Sequence, residues 1–377
     1  MSASSLFFIS LVSFIVAWIV IYYVFKRLRM KKVTSYPFLL IIKTGIGMDV
    51  IKDKRKATFV SFLGWSFLAI SIGLMIYFYY LIIRLFSVRY ITGGASGLSG
   101  GIVPLIPGIT ISFDQLVYFL IAIGIAVIAH ELSHALVARA EGIPIKDSGF
   151  LLFAFIPAAF VEPDESVMKS SSPKSRLKVY SAGVAANLLL GLLFLAIFAM
   201  IAPRLLNGII ITSIVNGSPA ALAGLKPGMT IVSVNGTKIL TLKHFMSYLV
   251  AAGAESKATS ARLLFVVKYH GLIQNVSVFK PKGAAHIGIS VQQSFRLPWL
   301  VSIITALYLI NIGFALINAA PLFIPLPGGV LQSDGGYIFL EVIGKLGKKA
   351  MNAGFVFEIF TLLIIISLLS FSPIRLP

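Results

Sequence analysis

Apolar residues fill this chain in long blocks. Six blocks run for about 20 residues with few charges, roughly 5–25, 59–83, 114–138, 178–202, 297–319 and 352–371, the length that carries an α-helix across a hydrocarbon layer of ~30 Å. Shorter apolar stretches, broken by Gly and Pro, lie between them: Tyr36–Ile51, Gly101–Ile111, Gly149–Val161 and Ala319–Leu331. Irregular or strand-like backbone at membrane depth persists only where protein buries it or water reaches it. The last two stretches are therefore expected to re-enter the layer around a hydrated cavity, the plainer alternative being interfacial loops. Residues 207–292 follow another pattern. Charge density rises, runs such as "TIVSVNG" and "LLFVVKYHG" read as strands, and "GSPAALAGLKPG" reads as a turn, a short helix and a second turn. The pattern predicts a multi-pass α-helical membrane protein of about six transmembrane helices, with re-entrant or β-hairpin segments and an inserted small β-rich domain. Its parts are a membrane region over 1–206, the insert over 207–292 and a second membrane region over 293–377.

Composition agrees. Of 377 residues, 58% are hydrophobic and 12% charged, against about 45–50% and about 25% in soluble domains. The net charge of +19 is concentrated beside the apolar blocks, as in "KRLRMKK" (Lys26–Lys32) and "KDKRK" (Lys52–Lys56). Such clusters set topology and touch anionic lipid, and without a reader motif nucleic acid is not an expected partner. Cysteine is absent, which excludes disulfides and thiolate metal sites. With both clusters cytoplasmic, the first block reads as an anchor with its N-terminus outside, not as a cleavable signal. The third block then ends on the cytoplasmic side, where Arg139, Lys146, Lys174, Arg176 and Lys178 also fall. The insert lies outside, together with the sequons at Asn216, Asn235 and Asn275.

"AVIAHELSHALVAR" (Ala126–Arg139) places His130, Glu131 and His134 inside an apolar block. Ionisable groups at that depth are costly, which marks them as functional candidates. Residues four apart share a helix face, so both imidazoles can converge on one ion. Glu131, about 100° around the helix, can address water held there. This is the H-E-x-x-H arrangement of zinc peptidases, two ligands and a general base. A plainer reading has these groups lining a polar cleft. A catalytic zinc wants a third protein ligand and an open position. After residue 292 the acids are Asp334, Glu341 and Glu358. Asp334, beside a Pro/Gly-broken stretch and at the depth of His134, is the expected third ligand, with Glu162, Asp164 and Glu165 as rivals. Asn187 follows the small residues Ala182, Gly183, Ala185 and Ala186; it would steady an oxyanion or substrate backbone, or cross-link helices.

Together these residues resemble the site-2 protease family of intramembrane zinc metalloproteases over most of the chain. "AHELSH" matches its metal motif, which makes His130 and His134 zinc ligands and Glu131 the catalytic base. "SAGVAAN" is similar to the family stretch ending at a substrate-stabilising Asn, here Asn187. "NAAP" and "SDGG" resemble its Asn-x-x-Pro…Asp-Gly motif, giving Asn318 a supporting part and Asp334 the third-ligand role. "FIPAAFVE" resembles the embedded hairpin after the metal helix, and "LIPGIT" the loop before it. The insert resembles PDZ domains, with Gly228-Met229 where Gly-Asp is common. Between Pro321 and Asp334 the gap is longer than the family's compact version.

The resemblance implies regulated intramembrane proteolysis with one catalytic zinc ion. The substrate would be a single-span transmembrane protein within the lipid bilayer, cut near the cytoplasmic side of a cell membrane. The extracytoplasmic PDZ-like domain would bind a substrate ectodomain or C-terminus. Readings of other classes are a metal or proton transporter using His130, His134 and Asp334 as a relay, and a non-catalytic scaffold built around the insert.

Overall fold

The computed structural model describes residues 3–28, 30–45, 53–91, 101–154, 156–254, 257–284, 286–326, 329–374 and 376. The chain forms two compact units, Met1–Phe194 with Ala306–Arg375, and Leu195–Thr305 with Leu376–Pro377.

The first unit opens with α1 (Ala3–Leu28), which coincides with the first apolar block. Among the described residues five helices, all later in the chain, are long and apolar enough to cross a membrane by length and composition. Strands β1 (Val33–Tyr36) and β2 (Leu39–Lys43) precede the first of these, α2 (Lys54–Phe86). Next comes α3 (Leu116–Ala140), followed by β3 (Ile145–Phe153), β4 (Ile156–Pro163), short α4 (Glu165–Ser170) and α5 (Pro173–Ile201). Helix α3 stops at a glycine: Gly142 has φ +77°, its N–H reaches Arg139 O at 3.2 Å, and Ile143 N reaches Ala138 O at 2.8 Å. Only a residue that tolerates positive φ closes a helix this way, and Pro144 then prevents its return.

The Gly149–Val161 stretch is a hairpin, and it joins β1 and β2 in one antiparallel sheet ordered β1-β2-β3-β4; of the Tyr36–Ile51 stretch, residues 46–51 lie outside the described residues. Leu40 sits opposite Leu152 and Val161 opposite Ser148. Strand β4 is thus an edge strand, and α3 packs along it. Ala135, Ala138, Ile145, Met168, Val179 and Ala182 form the buried seam that fixes α3, β3, α4 and α5.

In the second unit β5 (Leu206–Ile214), α6 (Pro219–Leu222), β6 (Thr230–Val234), β7 (Thr237–Lys238), α7 (Leu242–Ala251), β8 (Ala261–Tyr269), β9 (Leu272–Lys280) and β10 (Ile289–Phe295) follow in turn. The sheet runs β10-β5-β6-β8-β9, with β7 paired to β6. Ile209, Ile231, Phe245, Phe265 and Val278 fill its core.

The chain returns to the first unit along α8 (Pro298–Ala319). The long Pro321–Asp334 gap holds a second hairpin, β11 (Phe323–Leu326) with β12 (Gly329–Gln332). Helices α9 (Asp334–Ile343) and α10 (Lys348–Ser367) complete it. Helices α5 and α8 meet at Gly191, where a β-carbon would lie 2.7 Å from Ile312 Cγ1. Small residues permit such approach in lipid, where close packing drives association.

Candidate metal centre

The sequence motif on α3 and the acid of α9, distant along the chain, meet. His130 Nε2 lies 3.1 Å from Asp334 Oδ2, His134 Nε2 lies 3.3 Å from the same oxygen, and the two Nε2 atoms are 3.1 Å apart. All three side chains are largely buried, with 11–13% of each exposed. His134 Nδ1 is 2.7 Å from Val179 O. A carbonyl only accepts, so Nδ1 carries the proton and Nε2 turns a lone pair inward. That lone pair faces another imidazole nitrogen and a carboxylate oxygen. Two acceptors, His134 Nε2 and Asp334 Oδ2, thus face each other 3.3 Å apart in a buried site, an arrangement that a cation relieves. Two imidazoles and one carboxylate, with a position left open, suit zinc, and the Val179 carbonyl orients His134 from behind as ligating histidines require.

Glu131 stands beside this group. Its Oε2 accepts the N–H of Val161 at 3.0 Å, so the edge strand β4 holds the carboxylate in place. A cavity of about 490 Å³ opens here, lined by His130, Glu131, His134, Asn318, Gln332 and Asp334 among others.

Several contacts seat α9, and with it Asp334. Ser333 Oγ caps the helix by accepting Gly336 N at 3.0 Å, and also contacts Leu322 N and Ala320 O. A β-carbon at Gly335 would lie 2.0 Å from Ala319 O, so only glycine lets the start of α9 meet the end of α8. Arg176 on α5 grips Glu341 bidentately at 2.7 and 2.9 Å, and the rings of Tyr180 and Tyr337 stack at 4.8 Å.

The remaining candidates divide. Asn318 lines the cavity while its Nδ2 donates to Phe314 O at 3.0 Å. Asn187 is not among the cavity residues. It lies one turn beyond Gly183 on α5, fully buried, with neither amide atom bonded. Of the rival acids, Asp164 caps α4 through Ser166 N and Val167 N, and Glu165 lines the cavity. The roles of Val179 O, Gln332 and Tyr337 were not read from sequence. A backbone carbonyl leaves no residue signature, and neither Gln nor Tyr belongs to a metal motif.

Comparison with known proteins adds family context. A model of peptidase family M50 matches residues 118–370. An uncharacterized protein of Methanocaldococcus jannaschii is 29% identical over 246 residues, covering 62% of this chain and 61% of that protein. A membrane-bound transcription factor site-2 protease homolog of Arabidopsis thaliana is 29% identical over 165 residues, covering 42% of this chain and 32% of that protein. The chain therefore matches about three fifths of the first relative's length and a third of the second's. Among solved structures, the PDZ domain of an SdrC-like protein from Listeria monocytogenes matches 22% of this chain and 86% of that domain, at 19% identity and a TM-score of 0.18.

Proposed function

The chain belongs to peptidase family M50, and from that premise we propose that it is a zinc-dependent intramembrane protease acting on single-span membrane proteins. One observation carries the reading: His130, His134 and Asp334 converge beside Glu131, in a unit whose helices are long and apolar enough to cross a bilayer.

His130, His134 and Asp334 would hold the ion. Zinc, when bound, supplies a Lewis acid for the scissile carbonyl and lowers the pKa of coordinated water to about 7. The chain's own residues do the rest. Glu131, with one oxygen fixed by Val161 N–H, uses the other to take the proton from the attacking water and then delivers it to the leaving amine. Asn187 steadies the oxyanion or the substrate backbone, a bond its unpartnered amide otherwise lacks. Amides in a helix are shielded, so the substrate must unwind near the cut. An extended segment can add to the free edge of β4, which already presents Val161 to Glu131.

The charge pattern puts the cut toward the cytoplasmic face and the insert outside. There the insert limits ectodomain size or captures a C-terminus left by an earlier cut. Regulated intramembrane proteolysis is the process this serves.

Zinc content of the purified wild type, His134→Ala and Asp334→Ala, measured beside cleavage of a transmembrane substrate, tests the reading. Wild type should hold about one zinc, as one catalytic site requires, and each variant should lose both metal and cleavage. Full zinc in Asp334→Ala would sink the third-ligand role, and a wild type that binds zinc but cleaves no membrane substrate would sink the activity.

A further inference from the structure

Glu358 lies on α10, a helix long and apolar enough to cross a bilayer, and is fully buried. No step of the reaction uses it. An ionisable group so placed is costly and marks a functional candidate. Its partner is Gln332, whose Nε2 lies 3.2 Å from both Oε1 and Oε2 of Glu358. Gln332 ends β12, lines the cavity and stands two residues before Asp334.

The neighbouring glycine shows how closely these groups are fitted. A β-carbon at Gly336 would lie 2.8 Å from Glu358 Oε1 and 2.8 Å from Gln332 Cγ. Glycine there lets the carboxylate approach the first turn of α9, the end of a helix that favours negative charge. Asp334 is thus bracketed. Gln332 is tied to α10 on one side, and Gly336 abuts the same carboxylate on the other.

We propose that Glu358 is a positioning residue: acting through the amide of Gln332, it pins the segment Gln332–Gly336 to α10 and so sets how Asp334 meets His130 and His134. This rests on the reading of those three residues as metal ligands. The hairpin β11–β12 fills the sequence gap before Asp334, and the Gln332–Glu358 pair anchors its end.

The test uses the full chain in detergent, with Co(II) as the probe because its visible spectrum reports ligand geometry. Thermal unfolding of the metal-free protein is followed in parallel. Glu358→Gln keeps an oxygen to accept from Gln332 and should bind Co(II) as wild type does. Glu358→Leu and Gln332→Glu should lose affinity ~10–100-fold, the usual effect of disturbing groups that orient ligands, and should shift the spectrum. The double variant Q332E/E358Q trades carboxylate for amide and should restore both. Wild-type affinity and spectra in Glu358→Leu and Gln332→Glu would overturn the proposal. So would a double variant as impaired as Gln332→Glu, or a loss of metal-free stability that accounts for the weaker binding. A wild type that binds no Co(II) overturns this and the functional reading together. If Co(II) binding follows the expected series while no membrane substrate is cut, the positioning role stands and the proteolytic reading alone fails.

Discussion

Gly183 on α5 faces the ring of His130 so closely that a β-carbon built there would lie 2.5 Å from Cε1 and 2.6 Å from both ring nitrogens. No carbon fits at that separation, so Gly183→Ala must push the imidazole or the helix aside. Zinc affinity should fall ~10–100-fold, as when groups around a ligand are disturbed. Competition with a chelator measures this, and unchanged affinity would show that the ring has room to move.

Glu131→Gln tests the base separately from the metal. Glutamine keeps an oxygen to accept Val161 N–H but cannot take up a proton at neutral pH. Zinc content should stay at the wild-type level while cleavage falls by ~10²–10⁴, the range general-base catalysis contributes. Residual cleavage near wild type would assign the proton transfer elsewhere.

Asn187 permits a sharper test, because its buried amide has no partner to lose. An unsatisfied buried polar group costs stability. Asn187→Leu should therefore melt at or above the wild-type temperature while cleavage drops ~10²–10³-fold, the cost of removing an oxyanion donor. A lower melting temperature with normal cleavage would make it a helix cross-link.

Glu141 and Lys178 form a buried pair at 2.9 Å, each side chain 9% exposed, with Lys178 also reaching Ser61 Oγ at 2.8 Å. Burial pushes the Glu141 carboxyl up, but hydrogen bonds from Ser61, Lys178 and Ser175 more than offset this and hold it below the usual carboxylate range. A depressed folded value means the stabilisation is present above the unfolded carboxylate pKa and disappears as pH falls through the folded one. Glu141→Ala should cost ~3–5 kcal/mol, whereas E141L/K178M, which removes both charges, should recover most of it. Chemical unfolding of the wild type and both variants near neutral pH and below pH ~4, under the ordinary carboxylate value, checks both claims. Equal destabilisation of single and double variants would refute the account.

The face of α3 that carries His130 and His134 was legible because their spacing sets both imidazoles on one side of a helix. Asp334 was legible by scarcity, since only two other acids follow residue 292. The joined sheet was not. Strand β2 reads "LLIIK" without alternation, and its pairing of Leu40 with Leu152 spans more than 100 residues that carry no local sign of it. Gly183 stood out as a small residue suited to close helix packing, but the imidazole against it is a tertiary fact. The Pro321–Asp334 insertion could be measured by length alone. Its β-hairpin ends at Gln332, whose buried partner Glu358 follows by 26 positions with no local sign of the contact.

Asp334 follows His134 by 200 positions, with the whole β-rich unit between them. During synthesis the nascent chain therefore carries both imidazoles into the membrane long before their carboxylate leaves the ribosome. Until α9 docks, the proposed centre has two of its three side chains, and on that reading a fragment ending at residue 333 would be inert toward its neighbours in the same bilayer. On the function proposed above, proteolytic competence is in this way deferred to the last steps of biogenesis.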